Sequence, residues 1–210
     1  MKTVITISRE FGSGGHAIGK ALAEKLSIPF YDKELLGVAA KRSGICEDLF
    51  VKHDESYSGS LLYSLVMGTY TPSADGRLNS NEMPLNHKIF LAQFEAIKAL
   101  AEEPCVIVGR CADYVLRDNP NVVNFFVTGN SFEKKRRILE RYDIEKNKVD
   151  DFIRKTDKRR ASYFNYYTDL KWGEAKNYDL CINSSKTGLD GAVEIMCRYI
   201  DLKESMGENK

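Results

Sequence analysis

The sequence lacks the features that mark membrane-spanning and disulfide-rich proteins. No uninterrupted apolar run approaches the roughly 20 residues of a membrane-spanning helix, and the N-terminal apolar run is too short for a signal peptide. The chain has only five prolines, three histidines and five cysteines in 210 residues, and an odd number of cysteines argues against a disulfide framework. These absences predict a cytoplasmic protein with reduced core thiols, no membrane partner and no cysteine–histidine metal cage.

The chain also lacks an excess of charge of either sign, since its formal net charge is +1. The exception is residues 131–160, which carry 12 basic and 7 acidic side chains. A short basic stretch is typical either of a solvated helix face or of a site that binds an anionic ligand. A nucleic-acid partner is not expected, because the chain as a whole is not basic.

Five short runs rich in β-branched and aromatic residues alternate with helical patterns. The runs predicted as strands are 3–8, 30–31, 105–108, 122–127 and 178–182. Most of them are apolar or mixed without alternation, which is typical of strands buried on both faces of a parallel sheet. Ile18, Leu22 and Leu26 recur at helical spacing, and similar stripes occur within 89–100 and 193–200. The alternation predicts a single α/β domain over residues 1–210.

The alternation is interrupted in the segment 44–90. Clusters of serine, glycine and asparagine surround one short helical pattern at 61–67. Such a segment is typical of an insertion that either covers the substrate or contacts a second subunit. A homodimer formed through 44–90 is therefore one of two open alternatives.

A glycine-rich segment follows the first predicted strand and precedes the first predicted helix. Gly14 to Lys20 fit the pattern G-x-x-x-x-G-K of phosphate-binding loops. In such a loop the backbone N–H groups contact phosphate oxygens, the helix N-terminus adds positive potential, and the lysine reaches the outer phosphates. The alternative is a glycine-rich turn without a ligand. The residues predicted to bind the nucleotide here are Gly12, Ser13, Gly14, Gly15, His16, Ala17, Ile18, Gly19, Lys20 and Ala21.

Ala21 stands where many such loops carry Ser or Thr. The hydroxyl at that position ordinarily ligates Mg²⁺. We therefore expect no direct protein ligand to the metal, and expect Mg²⁺ to be held by the phosphates of ATP and by water.

Several motifs resemble those of the cytidylate kinase-like family of bacterial P-loop proteins. They are Ile5–Lys20, Ile28–Leu35, Val106–Asp113, Asp157–Arg160 with Tyr163–Trp172, and Tyr178–Asn183. The resemblance implies a P-loop, nucleoside-monophosphate-kinase-like fold: a three-layer α/β/α sandwich with five parallel strands, an acceptor-side insertion at 44–90 and a helical lid at 143–173. It also implies ATP and Mg²⁺ as cofactors and a nucleoside monophosphate, CMP or dCMP foremost, as acceptor.

The sequence departs from true cytidylate kinases at two places. Residues 33–37 lack the Ser and the Tyr-Arg pair that such kinases carry after the residue matched by Asp32, and Val108 replaces an Asp. The alternative function is therefore a nucleotide-binding regulatory module of the same fold without efficient phosphoryl transfer.

Phosphoryl transfer mainly requires positioning and cations around the transferred group. Lys20, Arg137, Arg154 and Arg160 are predicted to surround that group, and Arg136 to contact the nucleotide. Spacing places Arg154, Asp157 and Arg160 on one helix face. The alternative is a solvated helix held by salt bridges.

The acceptor is predicted to contact Asp32, Arg110, Asp113 and Asp157. Arg110 follows a buried strand at the edge where α/β sheets bind ligands, although an ion pair with Asp113 is the alternative. Asp32 either contacts substrate or metal-bound water or caps a turn. Asp113 either holds an acceptor hydroxyl, orients Arg110, or caps the next helix. The aromatic residues within 163–172 either stack a base or pack under the lid.

Overall fold

The computed structural model describes residues 2–53 and 84–207. The strands are β1 (Val4–Arg9), β2 (Phe30–Tyr31), β3 (Val106–Val108), β4 (Val122–Thr128) and β5 (Leu180–Asn183). The helices are α1 (Gly15–Leu26), α2 (Glu34–Ser43), α3 (Glu47–His53), α4 (Leu85–Leu100), α5 (Ala112–Val115), α6 (Ser131–Arg141), α7 (Val149–Thr168) and α8 (Ser184–Gly207). The backbone of α8 is non-helical at Gly188. The five predicted strands are confirmed, with their ends shifted by two residues or fewer.

All five strands lie in one parallel sheet, in the order β2-β3-β1-β4-β5. β1 is central, and its Ile5 pairs with Val106 of β3 and with Val123 of β4. Every residue of β1 and β3 is buried, because helices cover the sheet on both faces. The carboxyl ends of the parallel strands meet at one edge, where side chains from β1, β2 and β3 converge.

Helices pack on both faces of the sheet, which gives the predicted three-layer α/β/α architecture. On one face, Ile18 and Leu22 of α1 pack with Met196 of α8 against Ile5 and its neighbours. On the other face, residues of α2, α4 and α5 pack against a second set that includes Val4. None of the helices in the described part of the chain combines the length and apolar character that crossing a bilayer requires.

The predicted insertion at 44–90 is described only at its two ends. Helix α3 and the start of α4 pack with α2, and Phe50 and Ile89 join one buried apolar cluster. The helix predicted at 61–67 lies outside the described residues. The subunit contact predicted for 44–90 is not tested by the described ends and stays a prediction.

The predicted lid at 143–173 contains the 20-residue helix α7. Tyr163 and Phe164 in its second half are buried against Cys111, and the ring of Tyr167 stacks on Phe90 at a centroid distance of 3.9 Å. These contacts favour the packing alternative for the aromatic residues of this helix.

The cysteines are free thiols, but they are not all in the core. Cys105, Cys111 and Cys197 are buried, and burial raises the pKa of Cys105 to about 12. Cys46 and Cys181 are exposed, so the prediction of core thiols is wrong for these two. Cys181 lies on β5, which is an edge strand of the sheet.

Candidate active site at the carboxyl edge of the sheet

The loop that follows the central strand comprises residues 10–14. Gly12 and Gly14 have φ values of 78° and 85°, a left-handed conformation that glycine adopts without steric cost. Helix α1 then begins at Gly15, and the N–H of Ile18 donates to the carbonyl of Gly14 at 2.9 Å. The N–H groups of the first helical turn have no partner within the helix. This helix N-terminus is therefore a favourable place for a phosphate group.

The predicted bounds of the phosphate loop are wrong. Gly14–Lys20 fits the sequence pattern, but all residues from Gly15 onward are helical. Lys20 lies five residues into α1, about 7.5 Å along the helix axis from its start. Its side chain is 62% exposed, and its Nζ lies 3.9 Å from Glu24. The structure therefore does not bring Lys20 to the loop.

Gly19, the second glycine of the matched pattern, has a packing role. A Cβ at this position would lie 3.1–3.2 Å from side-chain atoms of Ile7, Phe30 and Val108. The absence of a side chain allows α1 to lie close against the sheet. Gly19 thus fits the pattern for a reason unrelated to phosphate binding.

Asp32 follows β2 and lies among two arginines and a histidine. Its Oδ1 accepts a hydrogen bond from Nη1 of Arg110 at 2.7 Å and lies 3.6 Å from Nη2 of Arg9. Its Oδ2 is 2.7 Å from Nδ1 of His16. Burial alone would raise the pKa of Asp32, but the charges of Arg9 and Arg110, with hydrogen bonds from Arg110 and His16, outweigh it and hold the pKa below its usual value. Asp32 is therefore an ionised carboxylate that fixes the neighbouring cations.

A narrow cleft of about 20 Å³ lies beside this ion cluster. Three arginines line it: Arg9 from the end of β1, Arg110 from the residues after β3, and Arg160 from α7. The rest of its wall is formed by Ser8, Gly109, Cys111, Tyr163, Phe164 and Trp172. Three guanidinium groups therefore line this cleft, and planar guanidinium groups suit the oxygens of a phosphate or carboxylate.

Helix α7 is hydrogen-bonded directly to the loop. The N–H of Phe11 donates to Oδ1 of Asp157 at 2.6 Å. Nη1 of Arg160 donates to the carbonyl of Arg9 at 3.2 Å. Asp157, predicted to contact the acceptor, is thus a loop contact, whereas Arg160 reaches the end of β1 and the cleft.

Helix α6 supplies two further contacts to the loop. Nζ of Lys134 bridges Oε2 of Glu10 at 3.1 Å and Oδ2 of Asp157 at 3.0 Å. Nη1 of Arg137 donates to the carbonyl of Ser13 at 3.0 Å and to Oγ of Ser184 at 3.1 Å. Arg137 is accordingly the predicted arginine that the structure brings to the loop.

Two predicted arginines lie on solvated helix faces instead. Arg136 forms ion pairs with Glu133 and Glu140 of its own helix, at 2.8 and 2.7 Å. Arg154 is 78% exposed and is paired with Asp151. For these two residues the structure favours the alternative of a salt-bridged helix surface.

Asp113 is buried in the first turn of α5, and its Oδ1 has no hydrogen-bond partner among the described residues. Burial raises its pKa to about 6, against the opposing effect of backbone hydrogen bonds from Tyr114 and from Asp113 itself. The N-cap of α5 is Cys111, without a side-chain cap bond, and the capping role of Asp113 stays a prediction. The ion pair that sequence spacing offered for Arg110 with Asp113 is replaced by the bond from Arg110 to Asp32.

Sequence reasoning missed several residues that form or contact the loop or the cleft, among them Arg9, Glu10, Lys134 and Ser184. Arg9 is the last residue of β1, Glu10 follows it, and Ser184 directly follows β5. Their position at the carboxyl ends of strands was a usable signal. Lys134 lies one helical turn before Arg137, on the same face of α6, and only its burial in the folded chain distinguishes it from a surface lysine.

The prediction that Mg²⁺ is held by the phosphates of ATP and by water, without a direct protein ligand, is not tested by the structure and stays a prediction. The described residues contain no group of three or more His, Cys, Asp or Glu side chains that could hold a metal ion. Glu10, Asp32 and Asp157 each pair with cationic side chains. Neither Ala17, in the first turn of α1, nor Ala21, further along the same helix, has a hydroxyl that could bind a metal ion.

Comparisons with known proteins identify relatives of this chain. The profile of the cytidylate kinase-like family matches residues 4–186. A solved structure of an uncharacterized protein from Eubacterium ventriosum is 32% identical, with a TM-score of 0.70 over 95% of this chain and 98% of that one. No curated protein sequence matches the chain significantly.

Two shikimate kinases share the fold at low sequence identity. The enzyme from Bacteroides thetaiotaomicron is 16% identical, with a TM-score of 0.54 over 95% of this chain and 98% of that one. The enzyme from Acinetobacter baumannii, solved in complex with shikimate, is 11% identical, with a TM-score of 0.51 over 94% of this chain and 92% of that one. Because the profile of the family matches residues 4–186, this protein belongs to the cytidylate kinase-like family.

Proposed function

We propose that this protein transfers a phosphoryl group from ATP to a small-molecule acceptor, and that the acceptor is a nucleoside monophosphate, CMP or dCMP foremost. The family and the fold support ATP-dependent phosphoryl transfer in general. The observation that carries the proposal is the position of two anion-binding features at one sheet edge. The N-terminus of α1 and the arginine-lined cleft meet at Arg9, which ends β1 and lines the cleft.

On the donor side, the phosphates of ATP bind at the loop 10–14 and the first turn of α1. Arg137 is held there by its hydrogen bonds to the carbonyls of Gly12 and Ser13. A guanidinium group fixed in this way stabilises charge that develops on the transferred phosphoryl group, without reorganisation during the reaction. Mg²⁺ bound to the phosphates supplies further neutralisation. Lys20 has no part in this proposal, because its amino group lies on the exposed side of α1.

On the acceptor side, the phosphate of the monophosphate binds Arg9, Arg110 and Arg160 in the cleft. Asp32 holds Arg110 and Arg9 in place, so that both are positioned before the acceptor arrives. Trp172 forms an aromatic part of the same wall and suits contact with the base or sugar. Phosphoryl transfer then takes place between the loop and the cleft.

The test is an ADP-release assay with Mg²⁺, ATP and each common nucleoside monophosphate. We expect release above the ATP-only background with at least one acceptor. Arg137→Ala should abolish most of that release, because it removes the cation fixed at the loop. Arg141→Ala is the matched control, since Arg141 is an exposed arginine of the same helix. No release with any acceptor would contradict the kinase proposal.

One observation favours a nucleotide-binding regulatory module as the second candidate. The first turn of α1 contains His16 and Ala17, and so lacks both the lysine and the hydroxyl of efficient phosphate loops. Calorimetry separates the candidates. Binding of ATP without binding of any monophosphate supports the regulatory module, whereas joint binding of both ligands supports the kinase.

A further inference from the structure

We infer that Lys134 is a positioning residue: by bridging Glu10 and Asp157 it fixes helix α7 against the loop, and so sets the place of Arg160 in the cleft. The proposed function assigns Arg160 to the acceptor phosphate, and the inference rests on that assignment. Loss of Lys134 should therefore weaken the binding of the acceptor and spare the binding of ATP.

Lys134 is a buried lysine whose ammonium group contacts two carboxylates. Only 8% of the residue is exposed, and its Nζ lies 3.1 Å from Oε2 of Glu10 and 3.0 Å from Oδ2 of Asp157. A buried ammonium group is costly unless its partners hold it in good geometry. Glu10 belongs to the loop and Asp157 to α7, so a side chain of a third element, α6, joins the two.

Glu10 is the fixed end of this bridge. Its Oε2 also accepts a hydrogen bond from Oγ1 of Thr128 at 2.7 Å and one from the N–H of Gly129 at 3.3 Å. Thr128 is the last residue of β4, and Gly129 follows it. The ammonium group of Lys134 is therefore anchored to the end of a central strand, and it holds Asp157 relative to that strand.

Asp157 and Arg160 lie one turn apart on the same face of α7. Oδ1 of Asp157 accepts from the N–H of Phe11 at 2.6 Å, so that with Lys134 at Oδ2 both carboxylate oxygens are bonded. Nη1 of Arg160 donates to the carbonyl of Arg9 at 3.2 Å, and its guanidinium group lies 5.6 Å from the ring centroid of Phe11. A displacement of Asp157 would therefore move Arg160 relative to the cleft that it lines.

Apolar contacts also hold the first half of α7, but they do not fix its rotation. Ile153 packs with Ile138 of α6 and with Phe11. Apolar burial is non-directional, whereas hydrogen bonds require a particular distance and angle. In a variant without Lys134 the helix thus stays attached, while the place of Arg160 is no longer fixed.

The loop has further contacts that do not depend on Lys134. Arg137 donates to the carbonyls of Gly12 and Ser13, and the hydroxyl of Ser184 donates to the carbonyl of Ser13. These bonds come from α6 and from the residue after β5, and none of them involves α7. Removal of Lys134 is therefore expected to displace α7 while the loop keeps its shape.

The experiment compares Lys134→Met with Lys135→Met in the ADP-release assay. Lys135 is the matched control, because it also pairs with a carboxylate of α7, that of Asp150 at 2.7 Å, but at an exposed position. Lys134→Met should raise the KM for CMP, or for whichever monophosphate is turned over, by about tenfold. The Kd for MgATP, measured by calorimetry, should stay within about twofold, and Lys135→Met should change neither quantity by more than that.

A double variant separates positioning from a general loss of stability. If Lys134 acts through Arg160, Lys134→Met should add little to the rise in KM that Arg160→Ala causes. A merely structural role would lower the Tm and the fraction of active protein but leave the KM unchanged. An unchanged KM in Lys134→Met, an equal rise in Lys135→Met, or additive effects in the double variant would overturn the inference.

Failure of the variant to fold and failure of the proposed function have different signatures. If Lys134→Met does not fold, as judged by circular dichroism, Asp157→Asn takes its place, since it removes the same ion pair and leaves Lys134 paired with Glu10. If the natural protein releases ADP with no acceptor, the proposed function fails, and urea unfolding decides the inference. The destabilisation by Lys134→Met, or by Asp157→Asn, should then be non-additive with that by Arg160→Ala, because the bond from Arg160 to Arg9 depends on the bridge. Additive effects would overturn the inference.

Discussion

Two buried carboxylates near the carboxyl edge of the sheet behave in opposite ways. Asp32 and Asp113 are equally exposed, at 7% each. The pKa of Asp32 is lowered, because the nearby charges of Arg9 and Arg110 and its hydrogen bonds outweigh the effect of burial. The pKa of Asp113 is raised to about 6, because burial dominates and only backbone hydrogen bonds oppose it. The same residue type at the same exposure therefore titrates in a different pH range.

The difference shows what distinguishes a site residue from a merely buried one. Asp32 contacts side chains from β1, α1 and the residues after β3, and so fixes the cations that face the loop and the cleft. Asp113 contacts backbone groups at the start of a four-residue helix. Partners that come from separate elements mark Asp32 as the residue that organises the site.

The largest expected effect is the loss of stability in Asp32→Asn. The change leaves two buried guanidinium groups without their carboxylate, which typically costs about 3–5 kcal/mol. Because the folded pKa of Asp32 is lowered, its contribution is present above the unfolded pKa and is lost as pH falls through the folded pKa. Urea unfolding measures the difference in free energy of unfolding between Asp32→Asn and the natural protein. This difference should be largest at pH 7 and smaller below the ordinary pKa of aspartate. A deficit under about 1 kcal/mol at pH 7 would contradict the role of Asp32.

Asp113→Asn should change stability in the opposite direction. The pKa of Asp113 is raised in the folded protein, from 3.8 to about 6. The natural protein therefore loses stability as pH rises between these two values. Asparagine is not subject to this loss, so the variant should be more stable at pH 7, by at most about 3 kcal/mol. The gain should be absent near pH 3 and constant above pH 7. A gain that does not vary with pH would show that burial of charge is not its cause.

Arg110→Lys should separate the acceptor site from the nucleotide site. Lysine keeps the charge near Asp32 but lacks the planar fork that binds two oxygens of one phosphate. We expect the acceptor KM to rise about ten- to hundredfold, corresponding to about 1.5–3 kcal/mol, with little change in the Kd for ATP. Steady-state kinetics and calorimetry measure the two quantities. If the acceptor KM and the Kd for ATP rise equally and the Tm falls, Arg110 only stabilises the fold.

Arg154→Ala should have the smallest effect. Its salt bridge with Asp151 is exposed, and such pairs typically contribute less than about 1 kcal/mol. We expect turnover to stay within about twofold of the natural protein. Arg160→Ala on the same helix should reduce turnover clearly, because Arg160 bonds the carbonyl of Arg9 and lines the cleft. A large loss in Arg154→Ala would restore it to the catalytic group.

The sheet could be predicted from the sequence because its strands are apolar along their length. Burial on both faces removes the need for polar residues in β1 and β3, and the resulting runs stand out. The start of α1 could not be found in this way. Gly14 and Gly19 both fit a loop pattern, but Gly14 has a positive φ and Gly19 is a helical residue packed against the sheet. A glycine does not reveal in sequence which of these two roles it has.

The candidate site was harder to predict because its key pairs join distant parts of the chain. Arg110 and Asp32 are 78 residues apart in sequence, and local spacing offered Asp113 instead. Arg137 could be placed near the nucleotide because it follows the end of β4, whereas Arg136 differs from it only by the side of α6 on which it lies. These choices are made by tertiary packing, which local patterns do not contain.

Phosphorus-31 NMR of the protein mixed with MgATP and CMP shows directly whether the γ-phosphoryl group is transferred. The account predicts that the signals of ATP decline while those of ADP and CDP appear in equal amounts, since the γ-phosphoryl group passes to the monophosphate. The same experiment with dCMP and the other monophosphates ranks the acceptors. Unchanged ATP signals, or inorganic phosphate as the sole product with every acceptor, would contradict the account.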